Sequence, residues 1–125
     1  MYLLDTNIFL EILLNQEKKA VCKRFLVEHY NAISISDFSF HSIGVILFRY
    51  KKYDVFLKFM KDVVSRVNVI SLPPTALQTF LETVHEHHLD FDDFYQYASA
   101  RYWGLTIVTM DTDFRSIEDV EVIFL

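Results

Sequence analysis

Four aspartates, Asp5, Asp37, Asp93 and Asp111, sit where a β-strand pattern gives way to a helix pattern. In an open α/β sheet, ligands bind outside the carboxyl ends of the strands, so side chains at these junctions converge however far apart they lie in sequence. Carboxylates gathered at one edge repel one another. Such a gathering is useful chiefly for holding a hard divalent cation, because Mg²⁺ and Mn²⁺ prefer carboxylate and water oxygens. Each aspartate alone has a plainer reading as a helix cap or turn residue. The joint placement of Asp5, Asp93 and Asp111 argues for a metal.

The elements that must position these residues follow from hydrophobic periodicity. Residues 1–4 are a short apolar strand ending at Asp5, and residues 7–14 follow as a helix. A second helix is expected over 17–29, where Val21, Cys22, Phe25 and Leu26 form a stripe. Residues 32–35 are the second strand, and a third helix runs from Asp37 to Tyr50. A fourth covers 53–65, with Phe56, Phe59, Met60 and Val63 on one face. Residues 67–70 alternate as a third strand. Pro73-Pro74 opens a helix carrying Leu77, Phe80, Leu81 and Val84. Asp90 or Asp92 caps the next helix, which ends near Trp103 with Gly104 as its C-terminal glycine. Residues 105–109 and 120–125 are the last two strands. Strands separated by helices predict a parallel, doubly wound α/β sheet with right-handed crossovers.

The chain has 125 residues, the size of one compact domain. With 52% hydrophobic residues, two glycines and two prolines, it can build a sizeable core and has little scope for disorder. No apolar stretch is long enough to span a bilayer, and the start lacks a signal-peptide pattern. The single Cys22 reads as a small buried hydrophobe, and a cytoplasmic location is expected. A net charge of −5 argues against a protein held on nucleic acid mainly by a basic surface.

Three segments carry a resemblance: Asp5-Thr6-Asn7 after the first strand, Asp93 opening a helix with Ala98 and Ala100 beyond it, and Thr109-Met110-Asp111 after the fourth strand. In that order, and over the whole chain, they resemble the PIN-domain ribonucleases, which include the VapC-type toxins of prokaryotic toxin–antitoxin pairs. The resemblance implies one domain over residues 1–125, a three-layer α/β/α sandwich around a parallel sheet of about five strands. It implies an endoribonuclease using Mg²⁺ or Mn²⁺. Asp5, Asp93 and Asp111 would be metal ligands, and Asn7, Thr109 and Asp113 would orient them or the phosphate. RNA would be the substrate, with an antitoxin as possible partner and a homodimer as the assembly.

One element departs from the family. The glutamate usual in the helix after the second strand is missing, and its place falls near His41 or Ser42. We expect Asp37 to stand in for it. A rival reading follows, a PIN-like module that binds RNA or a protein without cutting. A phosphoesterase of another α/β family fits less well, since Asp5-Thr6-Asn7 lacks the paired aspartate that reading needs.

Other residues have plainer readings. His85-Glu86-His87-His88 lacks the spacing that puts two imidazoles on one helix face and reads as a solvated helix end. Trp103 reads as core. Phe38, Phe40, Phe48, Tyr50, Tyr53, Phe56 and Phe59 fall on more than one helix face, which predicts a subunit or antitoxin interface.

Overall fold

A computed structural model of the chain describes residues 1–83 and 88–125. Val84 and the His85-Glu86-His87 part of the histidine cluster lie outside the described residues. His88 is exposed.

Five strands, Tyr2–Leu4 (β1), Ile33–Ser36 (β2), Asn68–Ile70 (β3), Thr106–Thr109 (β4) and Val122–Phe124 (β5), form one sheet in the order β3-β2-β1-β4-β5. All neighbours are parallel. β1 lies in the middle, with Leu3 opposite Ser34 of β2 and Ile107 of β4. Parallel strands need crossovers. The described helices that supply them are Thr6–Leu13 (α1), Lys19–Glu28 (α2), Asp37–Arg49 (α3), Tyr53–Phe59 (α4), Pro74–Thr83 (α5) and Phe91–Trp103 (α6).

Strand alternation sorts the core into two layers. Leu4 and Val108 face a cluster built from Ile8 and Phe9 of α1, Cys22 and Leu26 of α2, Ile43 and Leu47 of α3, and Phe59 of α4. Leu3 and Ile107 point the other way, onto α6 through Tyr97, Ala98 and Ala100, with Leu77 and Phe80 of α5 behind. The result is the expected three-layer α/β/α sandwich. Small residues at 98 and 100 bring α6 close to the sheet, and every residue from Phe94 to Ala100 is buried.

Three local details differ from the periodicity reading. Ser36, not Asp37, caps α3, its Oγ accepting from Ser39 N at 3.0 Å. α4 ends at Phe59 and continues as a widened turn, Met60–Val64, in which Ser65 N donates to Met60 O five residues back. Val63 and Val64 of that turn both pack against the core. Trp103 is about half exposed, its Nε1 donating to Ser71 O at 3.1 Å, so it is not core. Gly104 closes α6 with φ +66, the left-handed conformation that favours glycine. No described helix is long and apolar enough to cross a membrane.

Candidate metal centre

β1 delivers Asp5 to the carboxyl edge of the sheet, and pairing with β4 delivers Thr109 and Asp111 beside it. Asp5 is the N-cap of α1, with Oδ1 accepting from Thr6 N at 2.8 Å. Its Oδ2 accepts from Thr109 Oγ1 at 2.7 Å and from Asn7 Nδ2 at 3.2 Å. Asn7 spans the two strand ends, since its Nδ2 also reaches Thr109 Oγ1 and its Oδ1 accepts from Met110 N at 3.3 Å. Thr109 Oγ1 in turn accepts from Asp111 N at 3.0 Å. The Asp-Thr-Asn and Thr-Met-Asp segments are thereby one hydrogen-bonded unit across two strands.

Asp93 enters from the first turn of α6. Carboxylate oxygens of Asp93, Asp111 and Asp113 lie within 4.8 Å of one another. Asp113 opens the short 3₁₀ turn Thr112–Ser116, which Asp111 caps by accepting from Asp113 N at 2.9 Å. The turn swings the Asp113 carboxylate into the group. Asp113, expected from the resemblance to orient the ligands or the phosphate, lies with Asp93 and Asp111 in this group. Asp5 forms the buried base of the same cleft, about 320 Å³ in volume, which Asp93, Asp111 and Asp92 also line.

The electrostatics follow from this crowding. Burial, then the charges of Asp111, Asp5, Asp92 and Asp113, push the Asp93 carboxyl from the ordinary 3.8 up to about 7. Burial also raises the Asp5 pKa, against the opposing pull of hydrogen bonds from Thr109, Gln96 and Thr6. An uncompensated arrangement of this kind favours protonation or a cation.

Asp37 is not in the group. Its Oδ1 accepts from Phe38 N at 2.8 Å and from the Tyr95 hydroxyl at 2.7 Å. The cleft meets α3 instead at Phe38, Ser42 and Ile46, so no carboxylate lines that wall. The structure places Asp37 outside the lining of the cleft, against Tyr95. As the first helical residue it emerges one turn too early and is held by α6. Ser42 is the residue at the cleft, whereas His41 is exposed and borders a separate hollow with Phe40 and Gly44.

The sequence reading missed Gln96. Its Nε2 donates to Asp5 Oδ1 at 3.2 Å and to Ser39 Oγ at 2.8 Å, and Ser39 Oγ also accepts from Thr6 Oγ1 at 2.8 Å. The available signal was a glutamine three residues after Asp93, on the same helix face, inside an otherwise apolar run. Gln96 Oε1 is buried, adjoins the cleft and has no partner among the described residues. An all-oxygen, carboxylate-rich donor set with a carboxamide oxygen left unpaired suits a hydrated Mg²⁺ or Mn²⁺.

A three-layer parallel sandwich with acids converging from β1, β4 and the start of a late helix defines an α/β domain with an acidic cleft at its strand ends. The PIN domain matches residues 2–120 of the sequence, and the chain belongs to that family. No curated protein sequence matches it. Solved structures do. A chain of a toxin–antitoxin complex from Klebsiella pneumoniae is 21% identical with a TM-score of 0.78, the match covering 98% of this chain and 96% of that one. FitAcB from Neisseria gonorrhoeae is 25% identical with a TM-score of 0.70, over 98% and 96%. VapC20 from Mycobacterium tuberculosis, a toxin that cleaves the sarcin–ricin loop, is 16% identical with a TM-score of 0.76, over 97% and 99%.

Proposed function

We propose that this PIN domain is a divalent-metal-dependent endoribonuclease and the toxin of a toxin–antitoxin pair, working in the cytoplasm on RNA. The observation that carries the chemistry is the convergence of Asp93, Asp111 and Asp113 above a buried Asp5. The toxin role draws on the family and on similar chains from toxin–antitoxin complexes.

Asp93 and Asp111, with Asp113 or Asp5, would hold Mg²⁺ or Mn²⁺. Bound there, the cation would supply a water of lowered pKa and stabilise charge on the phosphate oxygens. The chain's own groups do the positioning. Thr109, Asn7 and Gln96 fix both Asp5 oxygens, so that carboxylate cannot rotate away. Asp93 can keep a proton near neutral pH until a positive charge arrives to replace it. Val45, Phe48, Tyr53 and Leu57, exposed along α3 and α4, are the surface we assign to homodimer or antitoxin contact.

One observation favours the rival reading of a binding module that cuts poorly or not at all: the α3 wall of the cleft presents Ser42 where the family usually has an acid. Incubating the purified chain with total cellular RNA separates the two. Cleavage in Mg²⁺ or Mn²⁺ that stops in chelator and in Asp93→Asn is the expected result. Intact RNA under both metals, or equal cleavage by Asp93→Asn, overturns the enzymatic reading.

A further inference from the structure

One aromatic residue, Phe38, stands on the α3 wall of the cleft. Phe38 lines the cleft with Asp5 and Asp93, and its ring centroid lies 6.2 Å from Phe91 and 5.8 Å from Tyr95. Phe91 and Tyr95 are 6.1 Å apart, so the three rings form one cluster. Phe91 opens α6 two residues before Asp93 and is 58% exposed. The cluster is held rigid from behind. The Tyr95 hydroxyl donates to Asp37 Oδ1 at 2.7 Å and accepts from Leu72 N at 3.1 Å, tying α6 to α3 and to the segment after β3.

We propose that Phe91, backed by Phe38 and Tyr95, is a stacking platform for an unpaired nucleobase of the RNA strand whose phosphate enters the acidic cleft. This rests on the ribonuclease reading and names the substrate class of that same site. Among the described residues lining the cleft there is no Lys, Arg or His, and the chain carries a net charge of −5. Side-chain cations therefore cannot supply affinity for the phosphate at the cleft in the usual way. Stacking on aromatic faces supplies affinity without positive charge, and it requires a base free of its duplex. Phe38 touches both the acid cleft and the exposed Phe91 ring. A strand seated with a phosphate at the acids thus has an apolar surface beside it for the adjacent base.

The test uses a short single-stranded oligoribonucleotide with 2-aminopurine placed at each position in turn, mixed with the whole protein and Mn²⁺ and read within the first turnover. Wild type should quench the reporter at a position flanking the cleaved bond. Phe91→Ala should lose that quench and weaken binding by about tenfold, and Phe91→Trp should restore both. Mn²⁺ should raise the melting temperature of Phe91→Ala as much as that of wild type, because Phe91 is not among the residues that line the acid cleft. If wild type neither binds nor cuts RNA, the ribonuclease reading fails and the platform with it. If wild type cuts and Phe91→Ala binds, quenches and cuts equally well, only the platform is overturned, and the exposed ring is left to a protein partner.

Discussion

Replacing Asp93 by Asn should stabilise the metal-free protein, and the pH dependence gives the reason. In the fold, the Asp93 carboxyl holds its proton up to about 7, whereas in the unfolded chain it ionises near 3.8. The folded state therefore binds the extra proton between those values. The contribution is fully present below the unfolded pKa and is lost as pH rises through about 7. At about 1.36 kcal/mol per pH unit the gap corresponds to about 4 kcal/mol. The carboxyl is only half-buried, and solvent screening brings this to about 2 kcal/mol. Asn keeps the shape and removes the charge. In chelator, Asp93→Asn should match wild type near about pH 4 and exceed it by about 2 kcal/mol above about pH 7. For a chain of this length that is a rise of about 8 °C in melting temperature. Adding Mn²⁺ should invert the order. At about 100 times its Kd a ligand adds about 2.7 kcal/mol to the wild type, and the variant should gain little. Thermal melts at both pH values, with and without Mn²⁺, read all four states. Equal melting of the two proteins in chelator at high pH, or an equal gain from Mn²⁺, would refute the reasoning.

Three further outcomes follow from the same geometry. Asp37→Asn keeps an oxygen for Phe38 N and the Tyr95 hydroxyl, so cleavage should be unchanged, while Asp37→Ala should cost about 1–2 kcal/mol in urea melts; a large loss of cleavage in Asp37→Asn would return that residue to the site. Ser42→Glu puts a carboxylate on the bare α3 wall, so Mn²⁺ affinity by calorimetry should rise about tenfold, or 1.4 kcal/mol, at some cost in metal-free stability; unchanged affinity would show that this wall does not face the ion. Phe48→Glu alters an exposed ring without touching the core, and should turn a dimer into a monomer in sedimentation velocity; unaltered association would place the interface elsewhere.

The order of strands and helices was legible because each element has its own period and its own stop signal, such as Pro74 at the start of α5 and Gly104 after α6. The meeting of Asp5, Asp93 and Asp111 in one cleft was legible because a parallel sheet puts all its strand ends on one edge. What was hidden depended on geometry below the resolution of periodicity. Whether Ser36 or Asp37 caps α3 is a question of one residue, and it decides whether the aspartate faces the cleft or Tyr95. The turn after Asp111 is too short to leave a pattern, yet it carries Asp113 into the acid cluster. Gln96 is a polar type that periodicity does not single out, and it is the packing of α6 against the strand ends that buries it on Asp5 and Ser39. Trp103 looked like core by type, but α6 has already left the sheet where it falls.

β1 precedes the other strands and is central in the sheet, and that has a consequence for when the acidic cleft is complete. Asp5 receives its hydrogen bond from Thr109, 104 residues further on, and Asp111 follows two positions later. Until β4 has been made and has slotted in beside β1, Asp5 lacks the Thr109 hydroxyl and the Asp111 carboxylate that follows it. A growing chain on the ribosome therefore carries the first of its carboxylates for most of its synthesis with nothing to cut RNA. The strand order acts as a delay, arming the enzyme only when synthesis has passed the fourth strand. Val108 of β4 is also buried in the α1–α4 core, so the strand that completes the site is locked in by the same packing that holds that layer.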